Sequence, residues 1–172
     1  MDLVVGLNGS GKTIYLENKL DELLSITNAN DIITNVRNVE YSSFDEERIA
    51  IIKDMEDYDT IFEYGELKII NNKLQIVDSD TIFTNYFIDI IGLLCRKGNI
   101  LLLNQPDYGL YGFEITSLLQ ILAELMPTYR DGIIVTHNQY LFQLEYKNIY
   151  WCENYQLNKM SRKKLYEHIC QF

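Results

Sequence analysis

Residues 6 to 13, GLNGSGKT, combine glycines, a lysine and a threonine at a spacing with a definite chemistry. They fit G-x-x-x-x-G-K-[ST] in full. Gly6, Gly9 and Gly11 let the backbone curl so that the N–H groups of Leu7, Asn8, Ser10 and their neighbours point inward at phosphate oxygens. A helix starting at the end of the run adds its positive end to the same place. In that frame Lys12 neutralises the β- and γ-phosphates and the Thr13 hydroxyl ligates Mg²⁺, so ATP and Mg²⁺ are the expected ligands. A functionless glycine-rich turn is the plainer alternative. The nest and the lysine act on phosphate charge, which leaves the identity of the base open.

Strands alternating with helices must hold these residues. DLVVG (2 to 6) is a short apolar run, and KTIYLENKLDELL carries Leu16, Leu20, Leu23 and Leu24 at helical spacing, so the glycine run lies between strand and helix. DIITNV (31 to 36) is a second strand candidate, followed by an acidic, poorly periodic stretch from Glu40 to Gly65. LKIINNKLQIV predicts a hairpin turning at Asn71-Asn72, since asparagine tolerates the left-handed backbone that tight turns require. TIFTNYFIDIIGLLC is apolar nearly all round and predicts a buried helix. NILLLNQ and DGIIVTH are continuous apolar strands of the kind covered on both faces in a parallel sheet. Between them Ile115, Leu118, Leu119, Leu122, Leu125 and Met126 predict a helix stopped by Pro127. KNIYWCEN reads as a further strand, and a final helix from Ser161 turns Leu165, Ile169 and Phe172 inward.

With these elements in place, residues 99 to 112, NILLLNQPDYGLYG, and IIVTH at 133 to 137 resemble the Walker B strand, its loop and the switch strand of the ABC-type P-loop ATPases. That class includes transporter motors and the chromosome-maintenance and DNA-repair ATPases. The family pattern is an apolar strand, Asp-Glu-Pro, two variable residues, Gly-Leu and Asp. Pro106, Gly109 and Leu110 agree; Asn104 and Gln105 stand in place of the acids and Tyr111 in place of the last Asp. The resemblance covers residues 1 to 26 and about 99 to 158, half of the chain. It implies an α/β P-loop NTPase fold, a mostly parallel sheet flanked by helices, with a β-hairpin and helical insertion in the middle third. It also implies Thr13 and Asn104 at the metal, Gln105 at the general-base position and His137 sensing the γ-phosphate. Two departures stand out. The family's Leu-Ser-Gly-Gly-Gln-like signature falls on VDSDTIFTN, residues 77 to 85, which has no glycine and offers hydroxyls at Ser79 and Thr81; and no glutamine loop is found in the middle third.

The amides alter the expected chemistry. A carboxylate at 104 would hold a magnesium-bound water, and one at 105 would polarise the attacking water. Asn104 can still accept a hydrogen bond from such a water, so nucleotide binding is expected to survive. Gln105 cannot take a proton, and loss of a positioned general base costs a factor of ~10² to 10⁴ in rate. Paired acid-to-amide changes are what an experimenter makes to trap ATP, whereas Tyr111 and the missing signature fit natural divergence. The expected function is a nucleotide-dependent switch or subunit of a protein complex, with weak or absent hydrolysis. The alternative is an active ATP-hydrolysing motor subunit whose site a partner completes or whose parent carries Asp-Glu. A small P-loop kinase is disfavoured because no arginine-rich lid is present. An ABC-type site is open on one side and completed by another chain, so a homodimer or, given the lost signature, a hetero-complex is expected.

The 172 residues, 47% hydrophobic with two prolines, predict one domain over 1–172 that buries about two-thirds of its unfolded surface. Neither a secretory leader nor a run of ~20 apolar residues is found, so a cytoplasmic protein without a membrane span is expected. A formal charge of −10 disfavours direct nucleic-acid binding by the chain alone. Lys159, Arg162, Lys163 and Lys164 oppose Glu167 in the tail, making it about +3 against about −13 for the remainder; a solvated helix face or a contact for an acidic partner would account for it. Cys95, Cys152 and Cys170 lack CxxC spacing or a histidine at metal-ligand distance in sequence, and predict buried structural thiols with neither disulfide nor zinc.

Overall fold

A computed structural model describes residues 1–37, 42–55, 65–79 and 82–170. In chain order the elements are β1 (Asp2–Val5), α1 (Lys12–Ile26), β2 (Ile32–Thr34), α2 (Glu46–Lys53), β3 (Glu66–Ile70), β4 (Lys73–Val77), α3 (Asn85–Leu94), β5 (Ile100–Asn104), α4 (Phe113–Leu125), β6 (Asp131–Val135), β7 (Asn148–Glu153), β8 (Gln156–Met160) and α5 (Arg162–Ile169). The fold is α/β. Six strands form one sheet in the order β2-β5-β6-β1-β7-β8, parallel except for the antiparallel β7–β8 pair at one edge.

Helices cover both faces, and the strand sequences show why. Leu101 and Leu103 of β5 join Ile134 and the apolar sides of α3 and α4 in one cluster. Ile100 and Leu102 join Val4, Ile133 and Val135 against Leu16 and Leu20 of α1 in another. Because side chains alternate across a strand, only an uninterrupted apolar run can satisfy two covered faces at once. Leu3 and Val5 of β1 point into a third cluster with Ile149, Trp151 and Leu165, which seats α5.

The β3–β4 hairpin is a separate two-stranded sheet, with Ile70 opposite Lys73. Asn71 and Asn72 have φ of 52° and 59°, the paired left-handed residues of a type I′ turn. Leu67 and Leu74 bury its inner face. The stretch from Glu40 to Gly65 lies partly outside the described residues, but it contains α2. Asp45 caps α2 by accepting from the N–H groups of Glu47 and Arg48. Arg48 is buried and cross-links distant turns. It donates to the Arg96 and Gly98 carbonyls and to Thr128 Oγ1, with its guanidinium 4.0 Å from the centre of the Tyr129 ring.

Several expectations need correction. Leu24 is exposed, because successive i,i+4 steps drift around a helix of 3.6 residues per turn and carry position 24 off the sheet. The helix expected from Thr81 starts at Asn85, where the Thr84 hydroxyl accepts from Phe87 N–H; Ile82 before it is 92% exposed. Residues 156 to 160 form the edge strand β8, which the sequence pattern did not reveal. Cys95 and Cys152 are buried, but Cys170 is exposed at the end of α5, a helix that buries only Leu165. Phe172 and Thr81 lie outside the described residues. Among the described residues, no helix is long and apolar enough to cross a membrane.

Candidate functional site

The C-terminal ends of the parallel strands β1, β5, β6 and β7 converge on one edge of the sheet. β1 runs into the Gly6–Thr13 loop, and its parallel neighbours are β6 on one side and β7 on the other. Lys12, the first residue of α1, folds back into the loop. Its Nζ donates to the carbonyls of Gly6 (2.7 Å) and Leu7 (2.6 Å) and lies 3.4 Å from Ser10 Oγ. The residue is only 5% exposed, and burial lowers its pKa from the ordinary lysine value. Leu7, Asn8, Gly9 and Thr13 are exposed around it. A buried ammonium ringed by backbone, at the positive end of a fifteen-residue helix, can take an anion at little further desolvation cost.

β5 ends beside this loop. Asn104 Nδ2 lies 3.4 Å from Thr13 Oγ1, and Asn104 Oδ1 is buried with no hydrogen-bond partner. An orphaned buried acceptor costs about 1–3 kcal/mol, so the position suits a donor such as a bound water. Gln105 follows with φ of 46°, a left-handed conformation that costs a non-glycine residue roughly 1 kcal/mol. Three contacts hold it there: its N–H donates to the Val135 carbonyl (2.7 Å), and its carbonyl accepts from Tyr108 N–H (3.0 Å) and the Tyr86 hydroxyl (2.9 Å). The Gln105 side chain reaches His137, with Nε2 3.3 Å from Nδ1. The residues singled out from the sequence thus form two neighbouring pairs, Thr13–Asn104 and Gln105–His137.

Further residues position these pairs, and the sequence pattern did not single them out. Asn35, just past β2, clamps the Asn104 backbone from both sides, accepting from its N–H (2.7 Å) and donating to its carbonyl (2.9 Å). Asp107 is buried and accepts from Thr136 Oγ1 at 2.7 Å, tying the turn after β5 to the turn after β6. The β7–β8 hairpin braces the glycine loop: Ser10 O accepts from Tyr155 N–H (2.9 Å) and Cys152 Sγ (3.2 Å), and a side chain at Gly6 would collide with the Cys152 carbonyl. The usable signal for Asn35 was a polar residue directly after an apolar strand; for Tyr155 there was none, because β8 itself is not periodic.

Ser79 belongs to the segment after β4, and Thr84, a third hydroxyl of residues 77 to 85, is occupied in capping α3. In the tail, Arg162 donates to the Gln143 and Leu144 carbonyls, Lys159 to Asn148 Oδ1, and Lys163 pairs with Glu167 at 3.8 Å. Much of that positive charge therefore has a partner within the fold. The chain matches no protein-family model and no curated protein sequence.

Proposed function

We propose that the chain is an ABC-like P-loop NTPase that binds Mg-ATP through Gly6–Thr13. It works as a nucleotide-dependent switch or as a subunit of a protein complex, with weak or absent hydrolysis. The observation that carries this reading is Lys12: a buried charge whose hydrogen bonds go to the carbonyls of its own glycine loop, at a helix start, 5% exposed. Structural lysines are almost never buried without a carboxylate partner. One held by loop carbonyls under an open rim is poised for an arriving phosphate.

The residues present fit a magnesium ion brought in with the nucleotide. Among the described residues no three His, Cys, Asp or Glu side chains gather to hold a metal. Mg²⁺, however, keeps several waters and relies on one or two protein oxygens plus the substrate's phosphates. Thr13 Oγ1 is such an oxygen, and the unpartnered Asn104 Oδ1 would accept a hydrogen bond from one of the ion's waters. Bound there, the ion would neutralise phosphate charge. Weak hydrolysis follows from Gln105, which cannot accept a proton and whose amide hydrogen-bonds His137 instead.

The test is calorimetric titration with Mg-ATP and with Mg-tripolyphosphate. Lys12→Ala is expected to abolish binding of both while the chain stays folded by circular dichroism; unchanged affinity would overturn the assignment. Light-scattering chromatography with and without Mg-ATP then tests the switch. ATP-favoured association, with itself or with a co-purified partner, is the expected outcome, and a monomer under all conditions counts against it.

A further inference from the structure

Tyr155 stands at the tip of the β7–β8 hairpin, and its placement is energetically unusual. Asn154 and Tyr155 have φ of 49° and 64°, so this two-residue turn has both members left-handed. Such turns favour Asn-Gly, because an L side chain at the second position is strained. A tyrosine there gains little from the fold in return. Its side chain makes no hydrogen bond or ring pair among the described residues, and the residue is 69% exposed. Its backbone N–H donates to Ser10 O. The ring nevertheless lies directly against the glycine loop: a Cβ on Gly11 would approach Tyr155 Cδ1 to 2.5 Å, and Gly11 itself has φ of 100°. Here a glycine is required by close approach and by backbone conformation together.

The sheet order assigns the two sides of the loop different roles. Asn104, Gln105 and His137 follow β5 and β6, on one side of β1; Tyr155 follows β7, on the other. If the terminal phosphate of a bound triphosphate faces the amide and histidine side, the nucleoside end leaves the loop toward Tyr155. We infer that the exposed Tyr155 ring is the surface on which the nucleoside base stacks, making the site selective for a nucleoside triphosphate over an inorganic one. This inference rests on the triphosphate reading proposed above and extends it to the part of the ligand that GLNGSGKT does not address. Stacking is tolerant of base identity because every base has a π-face.

The experiment titrates the full chain with Mg-ATP and Mg-tripolyphosphate, comparing Tyr155→Gly, Tyr155→Trp and Lys12→Ala. Loss of one base–aromatic stack corresponds to roughly a 5- to 150-fold change in affinity. Tyr155→Gly is expected to weaken Mg-ATP by that factor and leave Mg-tripolyphosphate unchanged, while Tyr155→Trp retains ATP affinity. Glycine also relieves the left-handed strain, so the melting temperature of this variant should hold or rise; weaker ATP binding then cannot be ascribed to misfolding. If Tyr155→Gly weakens both ligands equally, or neither, the stacking role is overturned while the triphosphate site stands. Absence of tripolyphosphate binding by the unmodified chain, with no effect of Lys12→Ala, overturns the underlying site instead.

Discussion

Asn104→Asp exchanges an amide for a carboxylate at a position where the structure leaves a buried side-chain oxygen without a partner. Without ligand the exchange reverses the weak 3.4 Å contact, with Thr13 Oγ1 now donating to the carboxylate, and places negative charge on a group with one desolvated oxygen. An unsatisfied buried group costs about 1–3 kcal/mol and a charged one more, so a loss of about 2–4 kcal/mol is expected at neutral pH. For a chain of this size each 1 kcal/mol lowers Tm by about 2–4 °C, giving a drop of about 4–16 °C. Burial raises the pKa of such a carboxyl, so the penalty is present above its folded pKa and disappears below the unfolded value near ~3.9. With saturating Mg-ATP the same carboxylate gains a cation partner, and the gap to the unmodified chain should narrow or reverse. Differential scanning fluorimetry at pH 4 and pH 7, with and without Mg-ATP, reads all of these effects. An equal Tm loss with and without Mg-ATP would refute the placement of Asn104 at the metal. Adding Gln105→Glu supplies a proton acceptor, and hydrolysis should rise ~10²- to 10⁴-fold, given whatever partner completes the site. Should the unmodified chain already turn over at an ordinary ATPase rate, Gln105 does not occupy the base position.

Two further predictions concern the scaffold. Arg48→Met removes the guanidinium that binds the Arg96 and Gly98 carbonyls and Thr128; leaving the two carbonyls without that donor should cost about 2–4 kcal/mol, seen as a lower urea midpoint with Lys12-dependent binding retained in the folded fraction. Cys95 is buried, and burial pushes its thiol pKa from 9.0 up to about 12. The unfolded chain ionises first, so the stabilisation is intact below pH 9 and is lost as pH rises toward 12, with a slope of up to about 1.4 kcal/mol per pH unit. Cys95→Ala should reduce that slope in denaturant titrations between pH 9 and 11, and an unchanged slope would contradict the buried-thiol geometry.

The sequence by itself determined the alternation of strands and helices, since a short apolar run such as ILLLN suits a strand covered on both faces, whereas the longer apolar run before it suits a buried helix. It also located the glycine loop, the Asn71-Asn72 turn and the residues Asn104, Gln105 and His137, because each depends on local backbone demands or on a motif carried in a few adjacent positions. What it left undecided were contacts between segments far apart in the chain. The edge strand β8 has no periodic signal, because it lies at the margin and its residues are mostly exposed, so pairing with β7 creates it. The Asn35 clamp on Asn104, the Asp107–Thr136 bridge and the seat of Tyr155 against Gly11 all arise from sheet order. Side-chain spacing encodes which face of an element is apolar, but only the packed sheet decides which strand ends become neighbours. It is that adjacency, set by β1 lying between β6 and β7, that gathers single polar residues from distant loops around one glycine turn.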